Sequence, residues 1–301
     1  MLIAPLVAIT GRVADPHWYW WIIAYFFIGG IAAGSFLIAS VVQLVGGAEN
    51  RPVTRIGYLL AAPLAALCGL FLTLDLGQPL RFWHMLVNVT TMQPAFKYWS
   101  PMSYGSWILT GFGLCAGLAF LLTVADIRQV RRFRLPPALG KLLAVIGLAF
   151  SILLVSYTGV LLNATNQRVW GDNVILGALF AASGVSTGIA TIALILSLRR
   201  GRSEQVIGRL ERADLLTIAI EIALLLALAV SLAAAGAGGV LLVGKLAPIF
   251  WGGVLVVGLL IPLGLYLRPR LLGNGTVVVA SSLALIGGFI LRAVILYSAH
   301  A

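Results

Sequence analysis

Three side chains that are far apart in the sequence could share one chemistry if the fold brings them together. His17 offers an imidazole, Asp75 a carboxylate and Tyr157 a phenol. Each can give or take a proton, and a quinone needs such a partner at each of its two oxygens. Taken singly, each residue has a plainer reading: an interfacial histidine, a helix-end aspartate bonded to local backbone, a tyrosine in a headgroup belt. Which reading holds depends on the elements that carry them.

Those elements are set by composition. The chain has 301 residues, 61% of them hydrophobic and only 10% charged, with a mean hydropathy of +1.05. A soluble domain cannot bury that much apolar surface, so the bilayer is the solvent. Apolar runs long enough to cross it cover residues 18–45, 53–74, 104–125, 139–162, 174–198, 213–235, 248–267 and 276–297. The fold class expected is therefore all-α, an integral membrane protein of eight transmembrane helices forming a single domain over residues 1–301. The opening MLIAPLVAIT has no basic flank and no small-residue cleavage site, so the first hydrophobic segment is expected to be retained.

The net charge of +11 does not point to nucleic acid, because the basic residues do not form one face. They sort by loop instead. Fourteen of the 20 lie in alternate connections, at Arg51 and Arg55, in the 128–141 and 199–212 segments, and at Arg268 and Arg270. The positive-inside rule then puts both termini outside, on the periplasmic face of a bacterial or archaeal inner membrane.

On that orientation the three chemical residues fall in one shallow outer layer. Asp75 closes the second span, His17 precedes the first, and Tyr157 lies about 7 Å below the outer edge at the rise of an α-helix. The long outer connection from Asp75 to Ser103 holds Phe82, Trp83, Phe96, Tyr98 and Trp99. It reads either as an aromatic belt at the headgroups or as an ordered cap that docks a partner. Ser100 is placed to cap the third helix, with Pro101 in its first turn.

FFIGGIAAG (26–34) in the first span resembles FAASGVSTG (180–188) in the fifth. Each holds a small-xxx-small pair, Gly30/Gly34 and Gly184/Gly188, that permits close helix contact. A duplication into two four-helix halves, 18–162 and 174–297, is expected. The first half carries the decorated loop and so the quinone site.

Two charges lie within spans, where they are expensive and usually functional. Glu221 sits about 12 Å in from the cytoplasmic edge and Arg292 about 8 Å in from the outer one. Their depths differ by roughly 10 Å, so a direct ion pair does not follow. Arg292 is at a depth to polarise a quinone oxygen. Glu221 reads as part of a proton path or as a neutral hydrogen-bonded group. His17, His84 and His300 all map to the outer edge, so axial ligation of a haem between helices is not expected. No HExxH, CxxC, Walker or GxGxxG pattern is present, and Cys68 and Cys115 fall in separate apolar runs. No iron–sulfur cluster or other metal site is expected in this chain.

Four segments in order, WYWWIIAYFFIGGIAAGSFL, LDLGQPLRFWHML, SPMSYGSW and YTGVLLNATNQRVW, resemble the signatures of the NrfD/PsrC family of polysulfide-reductase-like membrane subunits. The resemblance covers nearly the whole chain. It implies an eight-helix subunit without haem that binds menaquinone or ubiquinone near the outer face. It also implies electron exchange with a ferredoxin-like iron–sulfur subunit, commonly joined to a molybdopterin catalytic subunit. By motif, His17 and Tyr157 would be quinone ligands. Asp75 and Arg81 match the charged residues of the family's LDLGRPxRF segment, where Gln78 here replaces an arginine. Arg81, Trp83 and Trp99 would belong to the docking surface. A secondary transporter and a purely structural anchor are the rival readings. The terminal substrate and the direction of electron flow would lie with the partners.

Overall fold

In the computed structural model, residues 18, 20–130, 136–165, 167, 169–171, 173–199, 203–268 and 272–299 are described. Among them are eight helices long and apolar enough to cross a membrane: Trp20–Val45, Arg51–Asp75, Pro101–Ile127, Pro137–Asn163, Ile175–Ser197, Glu204–Ala234, Ile249–Leu267 and Thr276–Tyr297. They are called the first to eighth helices below. His17, His300 and several loop arginines lie outside the described residues.

Local signals explain most helix ends. Ser100 caps the third helix by accepting from the Ser103 N–H at 3.4 Å, with Pro101 at the first helical position as expected. The second helix also begins with a proline in its first turn. The sixth helix differs from the hydropathy reading, starting at Glu204 rather than near residue 213. Hydropathy registers only the lipid-depth part of a helix. The extra turns are amphipathic and bury Val206, Ile207 and Leu210 in a cluster with Val53, Ile189 and Ile192. The seventh helix is wound as a π-helix over Ile249–Leu260 and as an α-helix over Ile261–Leu267, the change falling beside Pro262, which has no N–H to donate.

The first and fifth helices form the centre, each with 67% of its apolar window buried, against 28–33% for the second, third and fourth. The first packs on the second, fourth and fifth, and the fifth on the fourth, sixth and eighth. What lets the two central helices meet is the pair of small-residue motifs. A side chain at Gly34 would be driven into the Gly184 carbonyl, and one at Gly188 into the Gly34 backbone. Within a membrane, where apolar burial no longer favours helix contact over lipid contact, such close backbone approach is a main source of association.

Arg292 is seated at this crossing, between the first, fifth and eighth helices. It is 1% exposed. Its Nε donates to the Phe26 carbonyl at 3.0 Å, and its Nη1 donates to the Ser183 hydroxyl at 3.1 Å and to the Gly288 carbonyl at 2.7 Å. On the opposite rim from the aromatic loop, Arg209 of the sixth helix pairs with Glu49 at 2.9 Å, tying the sixth helix to the connection between the first two.

Candidate functional site

The second helix ends at Asp75, and the chain turns through Gly77 at a φ of +69°, a conformation that glycine adopts without a Cβ clash. A 3₁₀ segment, Pro79–Met85, follows. The rest of the connection is a compact structure. Val87 and Pro94 form an antiparallel bridge, and the Ala95 carbonyl accepts from the Trp107 indole at 3.3 Å and the Ser103 hydroxyl at 3.4 Å. These bonds fasten the loop to the first turns of the third helix.

Beneath this loop lies a cavity of about 420 Å³. The first four helices and the loop all contribute to it. Asp75 and Tyr157 both line it, so two of the three residues singled out by depth converge on one space. Phe82, Met85 and Leu86 of the loop form part of its wall. The third residue, His17, is outside the described residues, but its neighbour Trp18 lines the same cavity. Trp18 is held by Trp170 of the fourth quoted segment, with stacked rings 5.5 Å apart. Trp170 is in turn fixed by its indole N–H, which donates to the Ile295 carbonyl at 2.7 Å. A buried tryptophan whose one donor is satisfied makes a rigid support.

Tyr157 comes from the fourth helix, and its hydroxyl donates to the Pro101 carbonyl at 2.9 Å. The ring fits because residue 105 is glycine: a Cβ there would collide with the Tyr157 ring and hydroxyl. Gly105→Ala is therefore expected to push the phenol out of place without removing it. On the expectation from sequence that Tyr157 serves a quinone, a misplaced phenol is costly, and the expected loss is about tenfold in quinone-dependent turnover, roughly 1.4 kcal/mol. Steady-state assays of the assembled complex would check this.

Tyr25 is a site residue that sequence reasoning missed. It is 2% exposed, lines the cavity, and its backbone carbonyl accepts from the Cys68 thiol at 3.8 Å. It was hidden in an apolar run where an aromatic residue is unremarkable. Its spacing of seven from Trp18 was the available signal, since two helical turns return to the same face.

Arg292 and Glu221 are not among the cavity's lining residues. Glu221 is 3% exposed, and no Glu221–Arg292 ion pair within 4.0 Å occurs among the described residues. Two turns before it, Asp214 is fully buried. It accepts from Ser186 at 2.8 Å and from Tyr266 at 3.1 Å. Sequence reading placed Asp214 at the edge of its span, because the helix start was set too late. Arg81 is exposed, Trp83 is 37% exposed and Trp99 is 68% exposed, and none of the three lines the cavity. Among the described residues no group of three or more His, Cys, Asp or Glu side chains could hold a metal ion.

A family model described as "Polysulphide reductase, NrfD" matches residues 10–301. The chain is 31% identical over 305 residues to the C component of polysulfide reductase from Wolinella succinogenes, covering 93% of each protein. It is 29% identical over 317 residues to protein NrfD of Escherichia coli, covering 93% of this chain and 94% of that one. A shorter likeness, 32% over 111 residues, links 36% of this chain to 22% of the C component of selenate reductase from Mesobacillus selenatarsenatis.

Proposed function

The chain belongs to the NrfD polysulphide reductase family, a multi-pass integral membrane protein with eight spans, and on that basis we propose that it is the quinone-reactive subunit of a respiratory oxidoreductase complex. The observation that carries the proposal is the cavity lined by both Asp75 and Tyr157 beneath the aromatic loop. Its walls are mostly apolar, which suits a flat quinone ring, and its few polar groups, Asp75 and Tyr157 among them, are of the kind the ring's oxygens need as partners. The first half of the chain holds this site, and the second half is its four-helix counterpart.

A quinol supplies two electrons and two protons when it is oxidised, and the reverse reaction consumes them. The chain's own residues handle the protons. The Tyr157 hydroxyl, whose own proton is held by the Pro101 carbonyl, accepts a hydrogen bond from one hydroxyl of the quinol. Asp75, with His17 beside Trp18, accepts or returns protons at the outer mouth, so exchange occurs on the outside with both termini on that side. The electrons pass to or from a ferredoxin-like iron–sulfur subunit, itself joined to a molybdopterin catalytic subunit; that the relatives are each named as one component of a polysulfide or a selenate reductase supports an assembly of several subunits. Arg81, Trp83 and Trp99 are exposed on the loop that would receive this partner. Arg292 is given no step at the ring, because it does not line the cavity and is held at the helix crossing by Phe26, Ser183 and Gly288. Glu221 and Asp214 belong to a separate buried polar group that could carry protons through the second half.

Isolation of the intact complex in mild detergent, with assays for iron, molybdenum and quinone, tests the proposal. An iron-bearing partner together with bound quinone is the expected result. A lone protein with neither would overturn the proposal and favour a transporter.

A further inference from the structure

A second, larger cavity of about 660 Å³ lies at the opposite end of the first four helices. It is bounded by the C-terminal ends of the first and third helices and the N-terminal ends of the second and fourth. Nothing in the quinone chemistry uses it.

Its charge is unbalanced. Arg51 and Arg55, one turn apart on the second helix, both line it, and Asp126 is the one carboxylate among its lining residues. Asp126 is engaged mainly with Arg55, whose Nη2 approaches to 2.8 Å, while the Arg51 guanidinium stands at 4.0 Å. The Arg55 Nε is buried and meets no acceptor among the described residues. Two guanidiniums carry ten N–H donors, far more than one carboxylate can satisfy. The Asn50 side chain makes no capping bond at the start of the second helix, so the peptide N–H groups of its first turn, beside Arg51, also favour an anion.

The depth of the cavity narrows the identity of that anion. Seven residues separate Arg51 from Tyr58, and seven separate Asp126 from Ala119, all of them cavity-lining. The space therefore runs about 10 Å along the helices at the α-helical rise. Its deeper walls include Val42, Leu122 and Leu143 and no further charge. A free phosphate would occupy only the charged rim. A phospholipid would place its phosphate on the arginines and the root of an acyl chain against the apolar wall. Basic pockets between helices on the membrane face expected to be cytoplasmic are suited to such headgroups, and guanidinium forks match phosphate oxygens in number and geometry.

We propose that this cavity is a binding site for one anionic phospholipid, held by Arg51 and Arg55. This does not depend on the quinone assignment. Native mass spectrometry of the purified protein, titrated with dioleoylphosphatidylglycerol and separately with dioleoylphosphatidylcholine, tests it. One phosphatidylglycerol should be retained per protein in preference to phosphatidylcholine. The Arg51→Gln, Arg55→Gln double variant should lose about 30-fold in retention. Asp126→Asn, which keeps both arginines and removes the competing carboxylate, should retain the lipid at least as well as the parent. Equal retention of the two lipids, an undiminished affinity in the double variant, or a loss in Asp126→Asn would each overturn the proposal. Displacement by millimolar inorganic phosphate alone would also overturn it, since the site would then be one for a free anion.

Discussion

Tyr157→Phe is expected to lower quinol-dependent electron transfer about 100-fold while the complex still assembles. The phenol lines the outer cavity with Asp75, and its hydroxyl is the one atom that the substitution removes. The ring remains, filling the space left by Gly105, so the shape of the cavity is kept. The structural cost is the bond from the hydroxyl to the Pro101 carbonyl, worth about 1 kcal/mol. A bundle of eight helices tolerates that loss. Turnover with a reduced quinone and co-purification of the partners should therefore separate: the first falls, the second stays. Unchanged turnover would remove Tyr157 from the reaction.

Gly34→Ala should prevent the folded bundle from accumulating. The added methyl meets the backbone of the fifth helix at Gly184 and Gly188, and backbone cannot rotate away as a side chain can. The two central helices would have to separate by a large fraction of a methyl diameter, which would also pull the Arg292 guanidinium from the Phe26 carbonyl and Ser183. Overpacking of a side-chain core costs about 1–3 kcal/mol. A clash with backbone at the central crossing belongs with the rarer losses above about 4 kcal/mol. The control is Gly113→Ala on the third helix, where a Cβ would meet nothing within 4 Å. That change replaces a poor helix former by a good one and should leave the bundle intact or slightly more stable. Fluorescence-detected size-exclusion of the two variants side by side would show the contrast. Equal yields would mean that the first and fifth helices do not rely on this contact.

The number and order of the spans were determined by the sequence, because crossing the bilayer requires about 20 apolar residues in a row and that requirement is local. Ser100 and Pro101 marked a helix start for the same reason: a cap involves neighbours in sequence. The helix rise even gave depths, enough to put Asp75 and Tyr157 in one layer. Depth does not give direction around the bundle axis. Residues at one level can face each other or opposite sides, and only the packing of the first helix on the second and fourth, with the third on the same two, turned Asp75, Tyr157 and Tyr25 into a common cavity. The packing of the first and eighth helices on the fifth directed Arg292 into the helix crossing, where Phe26, Ser183 and Gly288 accept its hydrogen bonds. Asp214 was missed because an amphipathic extension carries the sixth helix past the hydrophobic run, placing at the centre of a hydroxyl cluster a carboxylate that hydropathy had put at the rim. The sequence determined how deep each group lies, and the tertiary structure decided which groups meet, because a hydrogen bond is a contact across helices and no one-dimensional pattern encodes the angle at which two helices pack.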